Sequence, residues 1–420
     1  MNKNEPIKIW EVKKLSEIAD KITDGTHHTP TYPETGIPFI SVKDIRGQKV
    51  YFDNCKYISA DEHKELIKRC NPEEGDLLVT KSGTIGRLAI VPKVDFSLFV
   101  SVALIKLQKN KGNINQKWML YFFEFHIAFL DIKSKIKGGV VKNYHLEDLR
   151  QVEIPLPPLA EQERIVAKIE ELFSESDAGL ESLKTAQAQL KTYRQAVLKY
   201  AFEGKLTNDD VNEGELPNGW KWGKSGELFS FVTSGSRGWA KYYSESGAIF
   251  VRITNLNFDT LELDLRENKI QYVNPPKNSE GLRTKVQEGD FLFSITGYLG
   301  MFAIAPELEN AFVNQHIALC RPKENFNKKY VGYWIISKSG GIHHLNLLRK
   351  GAVKAGLGLD DIKSFPVPLC SLEEQNSIVE EIESRLSVCD KLEETINASL
   401  KQAEALRQSI LKQAFEGKLL

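Results

Sequence analysis

The chain has 420 residues, of which 41% are hydrophobic and 27% charged, and its net charge at neutral pH is zero. This length allows about two to four ordinary domains. Neither a long apolar run nor an apolar leader at the start is found, so the sequence predicts a cytoplasmic protein without a membrane span. A protein that binds nucleic acid alone rarely has zero net charge, so partners would supply much of any positive surface.

The five cysteines are scattered and never occur in CxxC spacing. This pattern is typical of reduced thiols and does not predict a metal site. The residues concerned are Cys55, Cys70, Cys320, Cys370 and Cys389.

Residues 1–154 predict a mixed, mostly β domain, because short β-rich runs such as Leu77–Val79 alternate with Gly, Pro, Asn and Asp turns. Residues 155–206 predict a long helix. Three prolines end the preceding segment, and Leu159 to Phe202 then contains none. Its apolar stripe is narrow, which is typical of a coiled-coil seam. The stripe comprises Ile165, Ile169, Leu172, Ser176, Leu180, Leu183, Leu190, Tyr193 and Val197.

Residues 207–367 predict a second domain of the same kind. GIPFISV at Gly36 is similar to GAIFVRI at Gly247, and SGTIGRLAIVP at Ser82 is similar to TGYLGMFAIAP at Thr296. Between these runs the two segments diverge, as in THHTPTYPET against SRGWAKYYSES. Divergent loops on a shared frame suit two sites that recognise two different ligands.

Residues 368–420 repeat the long helix at a constant offset of 213 residues, with about 23 of 52 aligned positions identical. The helix again has a narrow apolar stripe, and FEGKL ends each copy at Gly204 and Gly417. Packing of each helix on its own globular domain is the alternative to a coiled coil. The second stripe comprises Ile378, Ile382, Leu386, Cys389, Leu392, Ile396, Ala403, Leu406, Ile410 and Ala414.

The order of the segments predicts that the two helices are antiparallel. The second domain joins the end of the first helix to the start of the second, and a parallel pair would force these connections along the whole helix length. The predicted fold is therefore α+β, with two mostly β domains separated by an antiparallel two-helix coiled coil and an internal pseudo-two-fold repeat.

Several motifs resemble the specificity subunit of Type I restriction-modification enzymes: IPLPPLAEQERIVAKIEELFSE, YRQAVLKYAFEGKL, EGDLLVTKSGTIG and GIPFISVKDI. The resemblance covers nearly the whole chain. It implies a non-catalytic subunit whose two target-recognition domains each recognise one half of a bipartite double-stranded DNA sequence. It further implies two methyltransferase subunits and restriction subunits as partners, with S-adenosylmethionine, ATP and magnesium bound by those partners and no cofactor on this chain.

Charge indicates where DNA would bind. Residues 1–158 contain 24 basic and 20 acidic residues, residues 207–367 contain 19 and 18, and both helical segments are net acidic. Two basic stretches predict phosphate contacts, with a solvated basic face as the alternative. They are Lys133, Lys135, Lys137 and Lys142 in the first domain, and Arg349, Lys350 and Lys354 in the second.

Base recognition is expected from polar loops, because arginine, amide and hydroxyl groups complement base edges. The loop candidates are Thr26, His27, His28, Thr29 and Tyr32, then Ser234, Ser236, Arg237 and Lys241. Further candidates are Lys81, Ser82 and Thr84, with Thr296 and Tyr298 as counterparts, although this segment could also be a turn that only joins strands.

Two motifs suggest chemistry that the rest of the chain does not support. NPPK at Asn274 resembles the NPPY-type motif of amino-methyltransferases, but Lys277 replaces the aromatic residue and no glycine-rich cofactor loop precedes it. The pairs His27-His28 and His343-His344 lack further ligands at metal spacing, so polar loop contacts are expected instead.

Three functions remain: a DNA-recognition subunit, which is favoured, a coiled-coil scaffold that binds proteins without DNA specificity, and a self-sufficient modification enzyme. If the coiled coil sets the gap between half-sites, inserting four residues after Leu190 should change it, since each residue adds about 1.5 Å. The sequence reveals neither the two half-sites nor the spacer length.

Overall fold

The computed structural model describes residues 10–26, 28–107, 113–129, 143–208, 211, 214–276, 283–349 and 356–420. The chain divides into two compact units. Unit 1 comprises residues 1–183 and 398–420, and unit 2 comprises residues 184–397. Each unit combines one β-rich body with a part of each long helix.

The body of unit 1 contains a four-stranded antiparallel sheet in the order β2-β10-β7-β8 and a three-stranded sheet in the order β6-β3-β9. Strands β3 and β9 pair in parallel, while β1 pairs with β11 and β4 with β5. The strands are β1 Glu11–Lys14, β2 Ala19–Asp24, β3 Ile37–Ile40, β4 Ile45–Arg46, β5 Lys49–Val50, β6 Lys56–Ile58, β7 Leu77–Val79, β8 Leu88–Ile90, β9 Phe99–Val100, β10 Ala103–Leu107 and β11 Glu153–Leu156.

The body of unit 2 repeats the strand order of the main sheet, and its second sheet has one more strand than that of unit 1. Its main sheet has the order β13-β20-β17-β18, a second sheet has the order β14-β16-β15-β19, and β12 pairs with β21. Strands β15 and β19 are parallel, as β3 and β9 are in unit 1. The strands are β12 Lys221–Lys224, β13 Phe229–Ser234, β14 Tyr243–Ser244, β15 Ala248–Val251, β16 Tyr272–Val273, β17 Phe291–Ser294, β18 Phe302–Ile304, β19 Ala311–Val313, β20 Ile317–Pro322 and β21 Pro366–Leu369.

The two long helices have the same length, and the predicted span from Leu159 to Phe202 is confirmed. Each ends, as predicted, before a glycine in the left-handed region, Gly204 (φ 75°) and Gly417 (φ 71°). The α-helices are α1 Leu15–Ile18, α2 Ala60–Leu66, α3 Gln116–Phe129, α4 Leu146–Arg150, α5 Leu159–Phe202, α6 Lys328–Ile336, α7 Gly341–Leu347, α8 Leu359–Ser364 and α9 Leu372–Phe415. None of these helices among the described residues has the length and apolar character that a membrane span requires.

A glutamine recurs as the fourth residue of both long helices and has a structural role. Gln162 is fully buried, donates to the carbonyl oxygens of Asn113 and Pro157, and accepts from the backbone of Asn115. Gln375 is also buried and bonds in the same way to Cys370 and Asn327. Each glutamine ties the first turn of its helix to the β-rich body, because a buried amide must satisfy its hydrogen bonds.

Within unit 2 the two helical segments run in opposite directions, as predicted. Arg194 of α5 bonds to Asp390 of α9 at 2.6 Å, and Gln187, one heptad earlier, bonds to Asn397, one heptad later. Within unit 1 the same ion pair recurs 213 residues away, since the guanidinium of Arg407 lies 3.6 Å from the carboxylate of Asp177. Each unit therefore forms the pairing that the repeat encodes.

The predicted seam was wrong at three positions. Leu392, Leu406 and Tyr193 were assigned to it, but their exposed fractions are 48%, 54% and 47%. Seam positions in α9 alternate by four and three residues, so Glu393 and Arg407 take the inward places one residue further on. Their charges are paired there, Glu393 with Arg194 at 3.0 Å. Arg407 pairs with Glu124 of α3 at 2.8 Å and with Asp177 at 3.6 Å.

The ends of the helices pack on the β-rich bodies, as the alternative expected. In unit 2, Val197 and Phe202 of α5 and Ile378 of α9 share one buried cluster with Phe291 and Phe293. Unit 1 has the corresponding cluster of α5, α9 and sheet residues. Pairing and packing on the bodies thus occur on different turns of the same helices.

Candidate nucleic-acid interface

In both units a polar loop leaves the main sheet at a glycine that fits closely against the neighbouring strand. A Cβ on Gly25 would lie 2.3 Å from the carbonyl oxygen of Val100, and a Cβ on Gly235 would lie 2.2 Å from that of Val313. Only glycine permits this approach. The predicted loop residues 26–32 and 236–241 therefore begin at equivalent places in the two units.

In unit 1 the loop is held by its own side chains. The Thr26 hydroxyl donates to the carbonyl of His28 at 2.9 Å and accepts from its backbone N–H at 3.1 Å. His28 is exposed with its Nε2 3.5 Å from Glu62, and Thr29 is exposed. Thr26 shapes the loop, while His28 and Thr29 face solvent.

Tyr32 lies between the loop and the second sheet. Its ring meets Phe39 edge-on, and the ammonium of Lys56 lies 3.8 Å from the ring centre. Burial and the nearby carboxylate of Glu62 raise the pKa of the Tyr32 hydroxyl. The phenol is neutral at neutral pH, so its hydroxyl can donate a hydrogen bond.

Lys81 is held by an ion pair. Its ammonium lies 3.1 Å from the buried carboxylate of Asp24, which also accepts from Arg69 at 2.5 Å. Burial alone would raise the pKa of Asp24, but the two cations outweigh it and the pKa is lowered. The side chain of Lys81 is 17% exposed, so most of it is engaged within the protein.

The other two candidates of this turn differ in their surroundings. The Ser82 hydroxyl donates to the Asn143 side chain at 2.8 Å, whereas Thr84 is exposed. The turn itself is built by Thr80, whose hydroxyl donates to the carbonyl of Thr84 and accepts from the backbone of Arg87.

In unit 2 the corresponding loop follows Ser234, which ends β13. The hydroxyl oxygen of Ser236 is buried, while Arg237 and Lys241 are exposed. The ammonium of Lys241 lies 4.9 Å from the ring centre of Tyr242. Arg237 and Lys241 are therefore two long cationic side chains that this loop presents to solvent.

Thr296 and Tyr298 lie on the second turn of unit 2. The Thr296 hydroxyl is 2.7 Å from Nδ1 of His316, and Nε2 of His316 is 3.0 Å from the amide nitrogen of Gln315. Tyr298 has an exposed fraction of 73%. The network joins the turn to the segment that Gly235 contacts.

Most of the predicted phosphate contacts, and one loop candidate, lie outside the described residues. They are His27, Lys133, Lys135, Lys137, Lys142, Lys350 and Lys354. The residues that follow the two basic stretches are described: Asn143 forms a β-bridge with Ser82, and Gly356 forms one with Thr296. Arg349 is exposed after α7. In each unit the first described residue after the basic stretch therefore lies at the candidate turn.

The polar loop contact predicted for His343-His344 was wrong. Both residues lie in α7, and His344 packs near Trp222 and Trp334. Burial, assisted by His343, lowers the pKa of His344. Among the described residues no three metal-ligating side chains lie together.

The asparagine of the NPPK segment is engaged within the protein. The Asn274 side chain donates to the carbonyl of Ser246 at 3.1 Å.

Sequence reasoning missed two pairs of residues at these edges: Asp24 with Arg69, and Gln315 with His316. The contact of Asp24 with Lys81 depends on strand pairing between distant segments. Gln315-His316 lies in NQH after a β-rich run, where a polar cluster predicts only a turn.

Comparison with known proteins extends this picture. Residues 7–186 and 217–402 match the family model for the Type I restriction modification DNA specificity domain. The chain is 27% identical over 333 residues to the Type I restriction enzyme EcoBI specificity subunit of Escherichia coli, covering 76% of this chain and 68% of that protein. It is 24% identical to the putative type I restriction enzyme MjaX specificity subunit of Methanocaldococcus jannaschii, covering 98% and 93%.

A solved structure has the same fold. It comes from work on complex assembly and conformational transition of the type I R-M system. Its chain aligns over 98% of this chain and 99% of its own length, with a TM-score of 0.64 and 20% identity.

Proposed function

Because the chain belongs to the family of Type I restriction-modification specificity subunits, we propose that it recognises a bipartite, asymmetric DNA sequence and performs no chemistry itself. The body of unit 1 recognises one end of that sequence and the body of unit 2 recognises the other. We call each end a half-site. The paired helices set the number of unread base pairs between the half-sites.

One observation carries this proposal: two bodies whose main sheets have the same strand order present different polar side chains at equivalent loops and turns. In unit 1 these are His28, Thr29 and Thr84, and in unit 2 they are Arg237 and Tyr298. A shared frame with different exposed groups suits two base sequences that differ, since base edges are distinguished by donor and acceptor patterns.

Partner subunits supply catalysis in this proposal. Two methyltransferase subunits with S-adenosylmethionine, and restriction subunits with ATP and magnesium, assemble on the chain. The outward positions of the long helices offer apolar surface for such contacts. In unit 2, Val388 and Leu392 lie one turn apart with exposed fractions of 56% and 48%, and Tyr200 is 46% exposed.

The charge balance supports assembly before tight DNA binding. With 56 basic and 56 acidic residues the chain alone attracts phosphate weakly, and affinity falls as salt rises. Partners that add positive surface would raise the affinity. A scaffold without DNA specificity, the alternative, would bind the same partners but would not select DNA sequences.

The test is expression of this chain with its methyltransferase subunit in a host that has no other adenine methylation. Sequencing of methylated adenines should yield one asymmetric motif with two defined ends and an unread gap. A host with the methyltransferase alone is the control and should show no motif. Methylation without sequence preference, in a complex that contains both proteins, would favour the scaffold.

A further inference from the structure

The strand registers of the two bodies differ at one place on the candidate interface. In unit 1, Val100 pairs with Ile40 and Ala103 pairs with Val79, so two residues lie between the paired positions. In unit 2, Val313 pairs with Val251 and Ala318 pairs with Phe293. Four residues lie between these positions, namely residues 314–317. Unit 2 therefore carries a two-residue insertion inside an otherwise equivalent frame.

Asn314 is the first residue of segment 314–317 and accepts the hydrogen bonds that form its turn. The Asn314 side chain accepts from the backbone N–H of His316 at 3.0 Å, and its carbonyl accepts from the N–H of Ile317 at 3.1 Å. Because Asn314 is committed to the backbone, the polar groups that the insertion adds to the edge are those of Gln315 and His316.

The side chain of Gln315 is held in one orientation. Its Nε2 donates to Nε2 of His316 at 3.0 Å, so the imidazole proton lies on Nδ1 and is donated to the Thr296 hydroxyl at 2.7 Å. This chain of bonds leaves the carbonyl oxygen of Gln315 and its second amide hydrogen available as an acceptor and a donor. A side chain fixed in this way loses less entropy when it binds a ligand.

In the described part of unit 1, the segment equivalent to residues 314–317 carries neither an amide nor an imidazole side chain. The corresponding segment holds Ser101, whose hydroxyl donates to the carbonyl of Ile40 at 3.2 Å, and the buried Val102. The side chains that the insertion provides are therefore specific to unit 2.

We propose that Gln315, oriented by His316 and Thr296, is a specificity-determining residue for the half-site of unit 2 and recognises an adenine. An amide that offers one acceptor and one donor complements the amino group and N7 of adenine in the major groove. The proposal rests on the proposed function. It adds the residue, the half-site and the base class.

The experiment uses the full chain with its methyltransferase subunit and sequences methylated adenines across the genome. With Gln315→Ala, one position of one half-site should lose its preference for adenine by about ten-fold, and the other half-site and the gap should stay unchanged. Gln271→Ala is the matched control, because Gln271 is also half-buried in unit 2 but donates to the backbone of Tyr272. It should leave the motif unaltered.

Two further variants keep the proposal testable if Gln315→Ala fails to assemble. Gln315→Glu offers only acceptors and should shift the same position from adenine towards cytosine, whose amino group donates. Thr296→Val removes the hydroxyl that holds His316 and should relax the same position by a smaller factor. An unchanged motif in the Gln315 variants, or a change in both half-sites, would overturn the proposal. Absence of any bipartite motif in the wild-type complex would instead refute the proposed function.

Discussion

The buried carboxylate of Asp24 engages Lys81, one of the residues that the sequence predicts to read bases. The sequence proposed Lys81 as a base-reading residue, but its ammonium is paired with the Asp24 carboxylate, which also accepts from Arg69. Removing one partner of such a pair leaves a charge in a half-buried place without compensation. The ion pair therefore holds the turn beside the loop, and the exposed residues Thr84 and His28 remain candidates for DNA contact.

Asp24→Asn should destabilise unit 1 by about 2 kcal/mol at neutral pH, because Lys81 and Arg69 lose their counter-charge. The folded-state pKa of Asp24 lies below the ordinary value of 3.8. Its contribution is therefore fully present above pH 3.8 and is lost as the pH falls further. Urea denaturation at neutral pH and in a series below pH 5 measures both effects.

The difference in unfolding free energy between wild type and Asp24→Asn should shrink as the pH falls below 3.8. Asp20→Asn serves as control, since Asp20 lies on the same strand and is exposed. A constant difference at every pH would show that the charge of Asp24 does not account for the loss.

At the level of secondary structure, the sequence predicted what depends on local pattern. Prolines and the glycine stop predicted the span of the first long helix, and the β-rich run at Leu77 predicted a strand. The seam was misplaced at Leu392 and Leu406 because successive seam positions alternate between spacings of three and four residues. The apolar residues alone do not show which spacing comes first. The insertion at Gln315 stayed hidden, since only strand register separates it from the turn around it.

The corrected seam predicts different losses of unfolding free energy for alanine substitutions at two apolar residues of α9. Ile382→Ala should lower the unfolding free energy of unit 2 by about 2–5 kcal/mol, because Ile382 is fully buried between helix and body. Leu392→Ala should change it by less than about 0.5 kcal/mol, because Leu392 faces solvent. Chemical denaturation of both variants measures the two values. A larger loss for Leu392→Ala would restore the seam that the sequence predicted.

For the whole molecule, the contacts between α5 and α9 determine how the helix pair, the proposed spacer, can be lengthened. Inserting four residues after Leu190 in one helix would displace the seam, because the contacts of Gln187 with Asn397 and Arg194 with Asp390 repeat by heptads. Duplicating residues 187–193 and residues 391–397 together preserves these contacts. It lengthens the pair by seven residues, which is roughly 10 Å.

This double duplication should increase the unread gap in the methylated motif by about three base pairs, since each base pair occupies about 3.4 Å along the DNA axis. Both half-sites should keep their sequences, because neither body is altered. Duplicating residues 187–193 alone is the control and should abolish methylation, since the seam no longer matches. A gap of unchanged length in the doubly extended chain would mean that the helices do not set the distance between the half-sites, even if they hold the partners.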